Sequence, residues 1–316
     1  MISCITLLLL EVVYRYGVID FYKAEISALN PIESIESDTV DVLVFGDSFS
    51  APETNYVNKL RDAHKEITFL NLGIPGTGIK QVNTFARKKI KRYTPKHIIY
   101  QVYVGNDLLD VKHLSGGENI SFSRNFYWKL TDHIWSGIYV NQKLKMLKSQ
   151  KASGRKGDTN ALFSTSLYTK RQQMLFNADA RYLDKTIRLQ DDFLDRYGTW
   201  KKQVTSFLEV IPEGVTVSIV FIPHCAQVND RYYENMESIG AKFEDKTKAQ
   251  DMNYPFYTKA VQDFKEFDQV TFYNPISYLR AKETDTHRLY YANDPHFNEN
   301  GQHAFYEFLE AVIFEK

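Results

Sequence analysis

The stretch that decides the fold is VDVLVFGDSFS, residues Val40 to Ser50. Its first six residues form a near-continuous run of β-branched and aromatic side chains, which predicts a strand buried on both faces. The run ends in a glycine turn, and a helical pattern follows from Glu53 to Glu66. A strand that leads through a tight turn into a helix is the first unit of a parallel α/β sheet.

The same alternation recurs along the chain. Further strands are predicted at Ile67–Leu72, His97–Val104, Val215–Ile222 and Val270–Tyr273, and further helices at Gly78–Tyr93, Tyr182–Val210, Tyr254–Phe267 and Asn298–Phe314. This order predicts a doubly wound, flavodoxin-like, mostly parallel sheet of about five strands with helices on both faces. The rhythm fails from about 110 to 181, which predicts a helical and irregular insertion after strand three. We expect it to lie over the active face and to contain a flexible basic stretch, Ser149 to Asn160.

The N-terminal segment, residues 1–30, is set apart from a domain spanning 38–316. It is apolar from Ile2 to Val13 except for Glu11, and the run to Tyr22 would be long enough to span a bilayer. Three interpretations stay open: an uncleaved membrane anchor, a secretory signal, or an amphipathic helix on the domain. The first two predict a membrane-anchored or exported protein whose catalytic domain lies outside the cytoplasm.

Composition excludes several classes of function. The chain has 316 residues and balances 39 Lys and Arg against 39 Asp and Glu, so nucleic acid is not an expected partner. The two cysteines, Cys4 and Cys225, argue against a disulfide framework, and no spacing resembles a zinc site. No glycine-rich nucleotide motif follows the first strand. We expect neither a metal nor an organic cofactor.

Chemistry is suggested by polar groups at one edge of the predicted sheet. Ser48 follows a buried strand on a glycine turn, which suits a nucleophile whose attack produces an oxyanion. Gly76 follows strand two and Asn106 follows strand three, where each could offer an N–H donor. The segment before the last helix reads Asn293-Asp294-Pro295-His296, a base with a nearby carboxylate.

These four blocks, in this order, resemble the SGNH hydrolases, also called GDSL esterases. The resemblance implies that Ser48 is the nucleophile, that His296 is the base with Asp294 as its partner, and that Gly76 and Asn106 complete an oxyanion hole with the Ser48 N–H. It covers most of the chain from about Val40 to Phe314, apart from the insertion.

Two departures from the family pattern matter. The third block reads Val104-Gly105-Asn106-Asp107, without the first glycine of G-x-N-D, and the last block has D-x-H spacing instead of D-x-x-H. Strict D-x-x-H spacing would put Asn293 in the acid position; Asp294 is favoured. The D-x-H spacing and the apolar N-terminus look like those of bacterial membrane-anchored SGNH proteins and sugar O-acyl-modifying enzymes.

The expected function is a serine esterase or acyl-transfer enzyme acting on O-acyl esters, most simply O-acetyl groups of a cell-surface glycan. A lipid or general carboxylester is the alternative substrate, and a non-catalytic glycan-binding module is the alternative of a different class. A Cys225–His224 pair after strand four is the other nucleophile–base candidate; we interpret it as a structural loop.

Overall fold

The computed structural model of the protein describes residues 2–117, 119–149 and 162–315. The strands are β1 (Val42–Phe45), β2 (Phe69–Asn71), β3 (His97–Tyr103), β4 (Thr216–Ile222) and β5 (Val270–Tyr273). The helices before β4 are α1 (Ile2–Arg15), α2 (Lys23–Leu29), α3 (Ile32–Glu36), α4 (Tyr56–Ala63), α5 (Ile79–Tyr93), α6 (Asp107–Val111), α7 (Phe122–His133), α8 (Ser136–Ser149), α9 (Lys170–Ala178), α10 (Tyr182–Arg188) and α11 (Phe193–Leu208). Those after it are α12 (Cys225–Val228), α13 (Asp230–Ser238), α14 (Lys246–Ala249), α15 (Pro255–Asp263), α16 (Ile276–Lys282) and α17 (Glu299–Leu309), which continues as a π-helix (Glu310–Phe314).

The five strands form one parallel sheet in the order β2-β1-β3-β4-β5. The predicted doubly wound α/β fold, with helices around the sheet and an insertion after β3, is therefore confirmed. The inner strands are buried along almost their whole length, while the edge strand β5 is only partly covered. Burial on both faces explains why the inner strands read as continuous apolar runs. The direction in which the chain adds strands to the sheet reverses between β1 and β3. In open α/β sheets, ligands bind at the carboxyl ends of the strands beside such a reversal.

One predicted helix is wrong. The stretch Tyr182–Val210 was expected to be a single helix, but it divides into α10 and α11. Leu189 and Asp191 between them both adopt φ of +50°, in the left-handed region that ends a right-handed helix. Phe193, the first residue of α11, is fully buried. The turn carries no glycine or proline, so no residue type marks the break in advance.

The N-terminal segment lies on the domain. Tyr14 of α1 and Tyr22 are buried, and both rings contact Tyr139 of α8, at centroid distances of 6.1 and 5.6 Å. Glu11 accepts hydrogen bonds from the backbone N–H groups of Trp135 and Ser136. The third interpretation of this segment, a helix on the domain, describes this arrangement.

The length of helix α1 bears on the anchor interpretation of the same segment. Helix α1 has 14 residues. Across the described ranges, no helix is both long enough and apolar enough to cross a bilayer.

The insertion supplies α7, α8 and α9. Helix α8 contacts both α7 and α1, so the N-terminal segment and the insertion support one another. The predicted flexible basic stretch lies outside the described residues from residue 150 onward.

Candidate active site

The turn after β1 is held by a buried hydrogen-bond network. The Asp47 carboxylate accepts from the Phe49 N–H at 2.9 Å and from the Gln101 side chain at 2.6 Å. A Cβ on Gly46 would lie 2.3 Å from Ser50 Oγ, so only glycine fits at that position. Ser48 is thereby presented on a well-held turn at the carboxyl end of β1, which lies between β2 and β3 in the sheet.

Ser48, His296 and Asp294 come together as a connected set. Ser48 Oγ lies 2.7 Å from His296 Nε2. The other ring nitrogen, Nδ1, hydrogen-bonds Asp294 Oδ1, and the same oxygen accepts the His296 backbone N–H at 3.0 Å. The nucleophile–base distance is within the range for proton transfer. A carboxylate at Nδ1 favours the tautomer in which Nε2 is free to accept the serine proton.

Asn293, the alternative acid-position residue, faces away from the ring toward the insertion. Its side chain accepts the Ser164 N–H at 2.7 Å and donates to the Leu162 carbonyl at 3.0 Å. Of the two residues that could orient His296, Asp294 is the one in contact with it, and Asn293 fastens the end of the insertion to the histidine loop.

The His296 ring is also packed between aromatic side chains. The Phe49 ring centroid lies 4.9 Å from it and the Tyr103 centroid 6.4 Å from it. Both rings limit how far the imidazole can swing from Ser48. Phe49 stands next to the nucleophile in sequence, which is the only signal that could have identified it in advance.

Two backbone donors near the nucleophile are free. In the described part of the chain, neither the Ser48 N–H nor the Gly76 N–H donates to another protein group, and both residues line one cavity. Gly76 has φ of +71°, which favours glycine. The Asn106 side chain lines the same cavity, and its Oδ1 is buried without a hydrogen-bond partner among the described residues. The two free N–H groups suit an oxyanion; from Asn106 the donor would be the side-chain N–H₂, since Oδ1 can only accept.

Each donor loop is held by a second residue. The Gln142 side chain, from α8, donates to the carbonyl oxygens of Pro75 and Gly76, both at 3.0 Å. The Asp107 carboxylate accepts the Tyr103 N–H at 2.6 Å and so anchors the turn that carries Asn106. Burial raises the pKa of Asp107 well above its ordinary value. Asp107 stands in the third sequence block, whereas Gln142 has no motif around it and was missed by sequence reasoning.

The cavity has a volume of about 550 Å³. Ser48, Gly76, Asn106, Asp294 and His296 all line it. The insertion lines it as well, with Arg124, Tyr127, Trp128, Asn141, Gln142 and Arg171 among its residues. The predicted site residues and the insertion therefore share one cleft at the carboxyl ends of the strands.

The other candidate pair, His224 and Cys225, lies beneath this cleft. Both residues are buried, and the Tyr103 ring stacks between the His224 and His296 rings. Burial lowers the pKa of His224 to about 3 and raises the pKa of the Cys225 thiol. A buried neutral thiol is a poor nucleophile, so this pair is structural. Cys225 is a free thiol; the side chain of Cys4 lies outside the described residues.

No metal site accompanies these residues. Within the ranges that the structure describes, no group of three or more His, Cys, Asp or Glu side chains is placed to hold a metal ion.

Comparison with known proteins gives little. No family model matches the chain, and no curated protein matches it in sequence. Among solved structures the chain is similar to the lipase Lip_vut3 from a goat rumen metagenome, with 11% sequence identity and a TM-score of 0.40. The similarity covers 87% of this chain and 98% of the lipase. A similarity this weak carries no argument about activity, which has to come from the site itself.

Proposed function

We propose that this protein is a serine ester hydrolase of the SGNH type. The observation that carries the proposal is the 2.7 Å contact between Ser48 Oγ and His296 Nε2, with Asp294 at the opposite ring nitrogen. The two free N–H groups beside the nucleophile add the electrostatic part of the same chemistry. The block order described from the sequence supports the same assignment.

The reaction begins when the Ser48 hydroxyl donates its proton to His296 Nε2 and Oγ attacks the acyl carbonyl carbon. The carbonyl electron pair moves to the oxygen, which accepts hydrogen bonds from the Ser48 and Gly76 N–H groups and the Asn106 amide. Losing one such donor costs about 10²–10³ in rate. Asp294 stabilises the imidazolium that forms.

The second half regenerates the serine. The oxyanion collapses, the bond to the alcohol breaks, and the alcohol oxygen takes the proton from His296. Water then donates a proton to His296 and attacks the acyl carbon; the second oxyanion collapses, the bond to Ser48 Oγ breaks, and Oγ takes the proton back from His296 as the acid leaves. If a sugar hydroxyl replaces water, the same steps make the protein an acyltransferase.

The substrate we propose is an O-acyl ester, most simply O-acetyl, on a cell-surface glycan. The cleft wall carries the amide side chain of Asn141 and the partly exposed ring of Tyr127. Amides can hydrogen-bond sugar hydroxyls, and aromatic faces can pack on sugar rings. This combination supports a polyhydroxylated alcohol component.

A lipid or general carboxylester is the second candidate, and one surface feature favours it. Phe122, Phe126 and Leu130 are exposed at four-residue spacing on α7, the helix that also lines the cleft. Residues four apart share one helix face, so they form an apolar stripe next to the cleft. Such a stripe could rest on a lipid surface.

The direct test is hydrolysis of para-nitrophenyl acetate by the wild type and by Ser48→Ala, with Lys129→Gln, a surface change on α7, as a matched control. Wild type and control should hydrolyse the ester and Ser48→Ala should not. Acetate release from an O-acetylated polysaccharide, measured beside release of fatty acid from lipid esters, then separates the two substrate classes.

The alternative of a different class is a non-catalytic glycan-binding module with the same fold. That function predicts no ester hydrolysis above buffer by the folded wild type, together with saturable binding of the polysaccharide. It also predicts that Ser48→Ala leaves the affinity for the polysaccharide unchanged.

A further inference from the structure

Three positively charged side chains line the cleft that contains Ser48 and His296. Arg124 comes from α7, and Lys170 and Arg171 come from the first turn of α9. The chain as a whole has no net charge, so this local excess does not follow from a generally basic surface. Charges of one sign in a cleft concentrate ligands of the opposite sign.

The carboxylates in the cleft do not balance these cations. Asp294 is engaged with His296, and Asp110 lies 3.8 Å from the Arg171 guanidinium, too far for a close hydrogen-bonded pair. Within the described ranges, Arg124 and Lys170 have no carboxylate at ion-pair distance. Burial raises the pKa of Asp110, and the charges of Arg171, His113 and Lys80 oppose that rise.

The other histidine of the cleft wall, His113, is already paired. His113 Nδ1 lies 2.7 Å from Asp132 Oδ1, and the ring stacks on Trp128. The Asp132 carboxylate is therefore paired with His113, and it does not line the cleft.

The positions of Lys170 and Arg171 are unfavourable for the helix that carries them. The N-terminus of a helix is the positive end of its dipole, where acidic side chains are favoured and basic ones are not. Helix α9 has nine residues, no acidic residue in its first turn and no side-chain cap at Thr169. Helix stability therefore does not account for two cations there, whereas an anion bound in the cleft would be stabilised by both.

Taking the esterase proposed above as given, we propose that its substrate carries an anionic group, a carboxylate or a phosphate, close to the scissile ester. Arg124 binds this group from α7, and Lys170 and Arg171 bind it from α9. These residues determine specificity and take no part in the bond-breaking steps. An acidic sugar bearing an O-acyl group has this chemistry, as does an acylated sugar phosphate.

The test compares two esters of nearly equal shape, the anionic para-acetoxybenzoate and the neutral para-acetoxybenzamide. The ratio of their kcat/KM values is measured for the wild type, Arg124→Gln and Arg171→Gln, with Lys129→Gln as the control. Lys129 is exposed on α7 and does not line the cleft. The two variants lie on different helices, so misfolding of one leaves the other informative.

We expect the ratio to fall roughly tenfold or more in each cleft variant, because each loses a charge-assisted hydrogen bond. The ratio should not change in Lys129→Gln. Raising the ionic strength from about 0.01 M to about 1 M should lower kcat/KM for the anionic ester only. Equal ratios in all four proteins would overturn the proposal.

A binding experiment distinguishes failure of the esterase mechanism from failure of the anion-site proposal. Calorimetric titration of the Ser48→Ala protein with the same two compounds measures binding without turnover. If the wild type cleaves neither ester, the proposed function fails, while tighter binding of the anion that Arg171→Gln abolishes would still support an anion site. Equal binding of both compounds would overturn it.

Discussion

The side-chain amide of Gln142 donates a hydrogen bond to the carbonyl oxygen of Gly76 at 3.0 Å. Gln142 belongs to the insertion and Gly76 to the loop after β2, so this contact ties the cleft wall to the proposed oxyanion hole. A Cβ on Gly76 would lie 3.1 Å from the same amide nitrogen, which shows how closely the two residues pack.

Gln142→Leu should therefore lower kcat by up to about tenfold, since it removes the donor that fixes the Gly76 loop and a neutral hydrogen bond contributes about 1 kcal/mol. Steady-state kinetics on para-nitrophenyl acetate measure the change. Leu144→Ala, an exposed change on the same helix, is the control and should behave like the wild type. An unchanged kcat in Gln142→Leu would contradict the claim that Gln142 holds the Gly76 loop in place for catalysis.

Substitutions of Asp294 and Asn293, the two candidates for orienting His296, should differ sharply in their effect on kcat. Asp294→Asn should lower kcat by roughly 10³–10⁴, because an amide neither stabilises the imidazolium nor enforces the reactive tautomer. Asn293→Ala should lower kcat only slightly, since its side chain contacts the insertion and not the ring. Rate measurements on both variants decide the matter, and a larger loss in Asn293→Ala would reverse the assignment.

Acid should destabilise the fold in part through His224. Burial lowers the pKa of His224 to about 3, while in the unfolded chain it is about 6.5, so the unfolded chain binds the proton more readily. The stability that the neutral ring contributes is complete above about pH 6.5 and is lost as pH falls toward 3.

Urea unfolding of the wild type and His224→Asn across this pH range tests the point. Asparagine can keep the acceptor that caps Ala226 N–H, and the wild type should lose free energy of unfolding more steeply than the variant as pH falls. His97, whose pKa burial lowers to about 4, is common to both proteins and cancels in the comparison. If the free energies of unfolding of the two proteins fell in parallel with pH, the account of His224 would be contradicted.

Glu11 should be important for stability. It accepts from Trp135 N–H, Ser136 N–H and the Ser136 hydroxyl. Burial alone would raise the pKa of Glu11, but hydrogen bonds from Arg15 and Ser136 outweigh it and lower the pKa. Glu11→Ala should reduce the free energy of unfolding by about 1–3 kcal/mol, because it leaves half-buried donors unpaired. Glu36→Ala, at an exposed helix position, should have little effect, and equal losses in the two variants would contradict this role.

The sheet could be predicted because each strand is identified by the residue types of its own short segment. Val42–Phe45 and Thr216–Ile222 are continuous apolar runs bounded by turn residues, and period and composition are enough to identify them. The break between α10 and α11 could not be predicted. Leu189 and Asp191 adopt left-handed conformations there, which their residue types do not require. Tertiary packing imposed that turn.

Some residues of the candidate site could likewise be predicted from the sequence, and others could not. Ser48, Asp294 and His296 stand in short segments whose residue types suggest chemistry, and strand order brings those segments to one edge. Gln142 and Arg171 reach the cleft only through the packing of α8 and α9, which no short motif records. The partners of Glu11 at residues 135 and 136 are likewise distant in sequence, so its place on the domain could not be read from the apolar segment around it. Where in the cell the protein resides stays a prediction.

The measurement that tests the central claim most directly is labelling with a fluorophosphonate, which reacts covalently with a serine only when a base and an oxyanion hole activate it. We predict that the wild type is labelled on the peptide containing Ser48, and that folded Ser48→Ala and His296→Ala proteins are not. No labelling of the folded wild type, or equal labelling of Ser48→Ala, would contradict the account.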